Sequence, residues 1–316
     1  MKTGLLICGE VSRWRDTVEQ ATTAEALGYD SAWIAEHHFL EDSYGPSPLV
    51  NIAGLAEITE RLVLGPAVLL PAFYHPVRLA EETALIQNMT GGRFVCGLGL
   101  GYRHEEFAAF GADRSKRRNY LEETIKLLPR LWTEDAVTFK GEVYDIEDVT
   151  VTPRPNPAPP IWVGGWVESA IDRAARLADA WFPGPTADLA KLKSAYAYYD
   201  SALEREGKVA QERPLIREMW VGATESEIEV GRSQLTHMYE GEYKSWGQEN
   251  VGEGDVLADR AIVGSPAQVA EEVQRWQAEL DFDHLVGRMH IHGMDQKAVL
   301  RSMELFAEQV RPAIGG

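Results

Sequence analysis

The sequence predicts an α/β protein, a (β/α)8 TIM barrel with insertions after strands 4 and 7. Three observations point there. Short runs of β-branched and aromatic residues, bounded by Gly or Pro, alternate with amphipathic helical patterns from end to end. Strand–helix repeated eight times implies a parallel sheet, and right-handed crossovers close such a sheet most simply as a barrel. A chain of 316 residues with 45% apolar side chains can bury a large core in one domain. A doubly wound sheet is the alternative arrangement of the same elements.

Residues 4–8 form the first strand, and 17–27 form its helix. Gly28 follows where a helix C′ glycine belongs. Strand 31–35 leads to helix 49–59, strand 63–68 to helix 77–88, and 94–98 is the fourth strand. Residues 102–160 exceed a simple βα unit. They hold a helix over about 115–128 that Pro129 should end or kink, then a hairpin turning at Lys140-Gly141. Five prolines over 153–160 make a stiff extended connector. Strand 161–163 is followed by helix 167–177, and strand 180–182 by helix 189–206. After strand 216–221 comes an acidic, weakly periodic stretch, 236–259, which reads as an active-site lid. Ser265 caps a helix over 266–280 with Pro266 in its first position, and 285–291 is the eighth strand. The expectation is one barrel domain over 1–316, with an insertion at 102–160 and a lid at 236–259.

Charge and cysteine content narrow the function. Lys and Arg number 31 against 49 Asp and Glu, a net charge of −18. Nucleic-acid binding needs a basic footprint, and anionic membrane surfaces also attract basic proteins. Neither fits. No apolar stretch reaches a membrane-spanning length, and the N-terminal apolar run is too short for a signal peptide. A cytoplasmic location is expected. Cys8 and Cys96 sit singly in apolar runs and read as buried small hydrophobes.

Five places carry residues suited to chemistry. Glu36-His37-His38 ends the second strand, where active sites of barrels are built. Successive strand residues face opposite ways, so at most one of the two histidines points into the mouth unless the strand has already ended. His75 lies at the same rim in a loop fixed by Pro71 and Pro76. Gly97, Gly99 and Gly101, before Tyr102 and Arg103, leave backbone without Cβ atoms, which lets a flat ring or phosphate approach. Gly164-Gly165-Trp166 precedes a helix start bearing Ser169, a favourable anion site. His290 and His292 share one strand face and read as barrel lining. No metal site is expected, because the ends of strands 6 and 7 lack carboxylates.

Taken together, these pieces resemble the bacterial luciferase-like flavin-dependent monooxygenases. The matching residues are Leu27–Trp33, Glu36-His37-His38-Phe39, Leu70-Pro71 and His75-Pro76-Val77-Arg78. Further matches are Gly91-Gly92-Arg93-Phe94, Glu106-Phe107, Phe110-Gly111, Val263–Pro266 and Ser302–Phe306. The resemblance implies a barrel, usually dimeric, that binds reduced flavin at its mouth and uses dioxygen to oxygenate a substrate. It implies that His37 is the catalytic histidine and that His38 and His75 share its cavity. Ala67-Val68 matches a position that often carries a cis peptide beneath the flavin. Gly99 and Tyr102 match flavin contacts, and Gly165, Trp166 and Ser169 match the phosphate region, next to Gly164.

The luciferase catalytic subunit has an arginine where this chain has Leu100, a cysteine at Gly99, and Glu-Ser at Gly165-Trp166. Arg103, Ser169 and backbone amides are therefore expected to hold the phosphate. Part of the family uses a deazaflavin for hydride transfer, more often with Asp-His at Glu36-His37. The expected cofactor is accordingly FMN, reduced by a separate reductase because no second nucleotide domain is visible. The expected substrate is a small apolar organic molecule, reached through a pocket lined by Phe39, Phe73, Tyr74, Trp166 and Trp181. A deazaflavin-dependent oxidoreductase on the same fold is the alternative.

Overall fold

The computed structural model describes residues 1–41, 43–243 and 255–315. In chain order it runs β1 (Lys2–Leu6), α1 (Trp14–Ala26), β2 (Ser31–Ile34), α2 (Pro48–Ala56), β3 (Val63–Pro66) and α3 (Pro76–Met89). Then come β4 (Cys96–Leu98), α4 (His104–Phe110), α5 (Arg117–Thr133), β5 (Val137–Lys140) and β6 (Asp145–Val149). The second half holds β7 (Ile161–Val163), α6 (Glu168–Leu177), β8 (Ala180–Trp181), α7 (Leu189–Glu206), β9 (Pro214–Val221) and α8 (Glu225–Met238). It closes with β10 (Ile262–Gly264), α9 (Pro266–Leu280), β11 (His284–Arg288) and α10 (Gln296–Leu305).

Strands β9, β11, β1, β2 and β3 pair in that order, all parallel, and β4, β7 and β8 form the other arc. Parallel bridges Leu64–Phe94 and Leu69–Leu98 join the arcs. The result is the expected TIM barrel with helices outside. Alternation along the strands separates two cores. Inside, Trp33, Trp162, Phe182, Ile216 and Val286 fill the barrel. Trp33 and Trp162 stack with centroids 4.8 Å apart, a contact worth about 1 kcal/mol beyond its buried area. Outside, neighbours such as Ala32, Ile34 and Leu285 meet the helices.

The floor opposite the mouth is polar and fully paired. Lys2 bonds to Glu212, which contacts His284 Nδ1 at 3.1 Å. His284 Nε2 lies 2.8 Å from Ser31 Oγ, which also accepts from Trp33 Nε1 at 2.8 Å. This chain of bonds crosses β1, β2, β11 and the approach to β9.

Several helix ends follow the local sequence signals. Gly28 takes φ +78° just past α1. Ser265 and Gln268 form a reciprocal capping box on α9, with Pro266 in the first turn. Two expectations change. Pro129 neither ends nor halts its helix: α5 runs on to Thr133, because Leu131 and Trp132 bury there and Trp132 Nε1 donates to Ala80 O at 3.2 Å. The hairpin exists, but its return strand starts at Asp145, past a turn anchored by Glu123, which accepts from the Glu142, Val143 and Tyr144 amides.

Strand β10 was not expected. The eight-residue β9 has two neighbours, β11 along residues 214–218 and β10 along 219–221. Of the expected lid, 236–238 end α8 and 239–243 form a π-helical turn, while 244–254 lie outside the described residues. No helix among the described residues is long and apolar enough to cross a membrane.

Candidate active site

A cavity of about 270 Å³ opens at the C-terminal ends of the strands. Its walls come from the chain after β2 (Glu36, His37), after β3 (Ala67, Val68, Leu70), after β4 (Gly99 to Tyr102) and from Glu106 of α4. The far wall is Gly164, Gly165 and Trp166 after β7, Phe182 to Pro185 after β8, and Ile216 of β9. Assembling one pocket from the ends of five strands is what this fold does with its βα loops.

The Ala67-Val68 peptide is cis. Its ends are held by Ala67 N–H donating to Ile34 O at 2.8 Å and Leu69 N–H to Gly97 O at 2.8 Å. Strand β4 presses against this segment. A Cβ on Gly97 would fall 2.1 Å from Pro66 O, and one on Gly99 would fall 2.4 Å from a Val68 methyl. These glycines are therefore required by backbone packing beneath the cavity, as much as by any ring above it. Gly165 has φ +143°, and a Cβ there would meet Ala170 at 2.6 Å. Only glycine allows that turn into α6.

Two carboxylates organise the polar wall. Glu106 Oε1 accepts from the His38 N–H at 2.9 Å and from Arg103 Nη1 at 3.0 Å, and lies 3.8 Å from His37 Nδ1. Burial alone would push its pKa up, but His37, the His38 amide and Arg103 outweigh that and hold it below the usual range. Glu36 accepts from Tyr74 Oη at 2.7 Å, His38 Nε2 at 3.0 Å and the Leu70 N–H at 2.5 Å. Complete burial nonetheless raises its pKa above the usual carboxylate range. Burial also pushes the Tyr74 and Tyr102 hydroxyls up.

β2 ends at Ile34, so the two histidines lie past the strand, yet only one of them lines the cavity. His37 lines the cavity, its ring stacked on Tyr44 at 5.7 Å and edge-on to Tyr102 at 6.2 Å. His38 turns into an aromatic cluster, 4.7 Å from Phe110 and 5.6 Å from Phe73. His75 is exposed at the start of α3, edge-on to Tyr144. Neither is placed on the cavity wall. Of the expected cofactor contacts, Ala67, Val68, Gly99, Tyr102, Gly164, Gly165 and Trp166 are brought together there. Arg103 is not: its guanidinium is tied to His38 O at 2.6 Å and to Glu106. Ser169 is exposed in the first turn of α6, off the wall.

The expected aromatic lining also shifts by one residue. Trp181 packs outward against Tyr196 and Tyr199, while Phe182 faces the cavity. Phe39 is 61% exposed, with φ +58°. Phe73 joins the His38 cluster, and Tyr74 serves Glu36. Glu106 was overlooked as a site residue, although its placement three residues after Arg103 at a helix start was a usable signal.

His290 does not line the pocket. Its Nε2 contacts the buried Glu10 at 2.9 Å and its Nδ1 faces the Gln20 amide at 3.2 Å. Burial lowers the pKa of the ring despite Glu10. His292 is 49% exposed in its side chain and 3.4 Å from the same carboxylate. Cys8 and Cys96 are both buried, and burial pushes the Cys8 thiol up to about 11.

The architecture defines a parallel-barrel enzyme with one mostly apolar cavity at its mouth and a histidine–carboxylate pair on the wall. The chain belongs to the luciferase-like monooxygenase family, whose family model matches residues 1–282. It is an oxidoreductase of the flavin- and F420-dependent kind found there. A solved monooxygenase, RslO1 from Streptomyces bottropensis, superposes with a TM-score of 0.89 at 23% identity, covering 99% of both chains. The F420-dependent glucose-6-phosphate dehydrogenase of Nakamurella multipartita is 29% identical over 95% of this chain and 92% of that protein. Its namesake from Amycolatopsis mediterranei is 33% identical over 189 residues, spanning only 57% of this chain and 56% of that protein.

Proposed function

We propose that this chain is the oxygenating component of a two-component monooxygenase, acting on a small apolar organic substrate with dioxygen and FMN reduced by a separate reductase. One observation carries the reading. His37 is the sole imidazole on the described cavity wall, held near Glu106, while most of the remaining wall is apolar side chain and glycine backbone. Such a wall excludes water from the reacting centre.

The residues suit a flat, amphiphilic ring. Ala67, Val68 and Gly99 offer a flat base; Tyr102, Gly164, Gly165 and Trp166 would border the rest. Bound reduced FMN would supply the electrons that activate dioxygen. His37 would move a proton at its ring nitrogen. Glu106 lies 3.8 Å from the ring's Nδ1, close enough to influence where the ring sits. A relative covering 82% of this chain at 26% identity is the oxygenase component of a trigonelline monooxygenase from Acinetobacter baylyi, which supports this reading.

The names of the F420-dependent relatives favour a second one: hydride transfer to a deazaflavin, with His37 accepting a substrate hydroxyl proton. Rapid mixing of protein and photoreduced FMN with aerated buffer separates them. Reoxidation at a rate distinct from free flavin, with dioxygen uptake coupled to product, is expected. Reoxidation at the free rate, together with F420 reduction that ignores dioxygen, would transfer the assignment to the second reading. We also propose a homodimer in a cytoplasmic setting.

A further inference from the structure

The cavity poses an electrostatic question. FMN and F420 both carry a phosphate, yet among the described residues no Lys or Arg lines the cavity, and Leu100 stands where the luciferase catalytic subunit has an arginine. Nearby guanidinium groups are engaged. Arg103 is bound to Glu106 and His38 O; Arg217 donates to Pro185 O at 2.6 Å and Ala187 O at 2.7 Å. Arg288 sits 3.5 Å from Glu218.

One cation differs. Lys191 lies in the first turn of α7, and its Nζ sits 5.3 Å from the ring centroid of Trp166. Trp166 is itself cavity wall, beside Gly164 and Gly165. Among the described residues the Lys191 ammonium meets no carboxylate within 4 Å, and the side chain is only half-buried. A cation on an indole face is held in place without being neutralised.

We propose that Lys191, seated on Trp166, is the residue that grips the cofactor's phosphate in this chain. The inference rests on the cofactor reading above and deepens it. The cation would then come from the first turn of α7, next to Trp166, and not from the chain after β4. The glycine backbone at 164–165 supplies close approach, and Lys191 supplies the charge. Against a net charge of −18, one free cation beside the mouth matters for capturing an anion.

Fluorescence titrations with FMN and with riboflavin, which lacks the phosphate, test this on wild type, Lys191→Gln and Lys191→Arg. The pair F420 and its phosphate-free deazariboflavin core serves as the deazaflavin arm. Lys191→Gln should weaken the phosphorylated ligand about five- to tenfold and flatten the salt dependence of its affinity, with the phosphate-free ligand within about twofold. Lys191→Arg should restore most of the difference. The half-exposed position predicts unchanged circular dichroism and melting for both variants. Equal loss for both ligands, or no loss for either, overturns the assignment of Lys191 while leaving the cofactor reading intact. If wild type binds neither flavin nor deazaflavin, both fall.

Discussion

At the scale of single residues, the site turns on the pair His37 and Glu106. On the proposed reading, His37→Ala should leave FMN affinity within about twofold but abolish coupled product formation, because backbone and apolar groups make up most of the wall and His37 would be the proton-moving group. Unchanged product yield per flavin would remove His37 from the mechanism. Glu106→Gln should cost about 2–3 kcal/mol at pH 7, since it leaves Arg103 with a weakened partner. The sign follows from the depressed carboxyl: its contribution is complete above the ordinary glutamate value of 4.5 and disappears as pH falls through the lower folded value. Chemical unfolding at pH 7 and pH 4 should therefore show a larger gap between variant and wild type at pH 7. The resemblance named His37; strand alternation could not separate it from His38, because β2 ends at Ile34, three residues before the pair. It could not tell that Arg103 is used up by Glu106, because that depends on a loop bringing the His38 carbonyl within 2.6 Å. The Trp181–Phe182 exchange has a similar cause: with only two residues in β8, the phase of the strand is set by pairing with β7, not by pattern.

At the scale of elements, caps were the most legible feature. Ser265, Pro266 and Gly28 act within a few residues of themselves, so tertiary context has little to override. Proline inside a helix was read by the same local rule and misled, since the buried face beyond it governs the outcome. Pro129 is exposed and offers no N–H to the turn before it. Pro129→Ala should consequently raise the urea midpoint, by a stability gain of about 1 kcal/mol or more; a lower midpoint would mean the ring's packing outweighs the missing bond. Strand β10 escaped notice because three residues between a turn and a capping box carry almost no periodicity, and the strand exists only because β9 overshoots β11.

At the scale of the whole molecule, the barrel was legible because a strand–helix period repeated eight times admits few closures. What remained hidden was surface. Val50 of α2 is 71% exposed, and Leu85 and Met89 of α3 are 45% and 42% exposed, on helices that pack side by side. Apolar groups so placed predict the proposed homodimer's contact. Light scattering should give twice the chain mass for wild type and a single chain mass for the Val50→Asp, Leu85→Asp double variant, with its melting curve still cooperative. A wild-type monomer would refute the contact. The hydrogen-bonded floor has a different consequence. Lys2, Glu212, His284, Ser31 and Trp33 fasten strands together at the end remote from the cavity. Strand register is thereby guaranteed by residues that never meet a ligand. Loops at the open end can be exchanged, lengthened or randomised to accept new substrates while the foundation that folds the chain stays untouched.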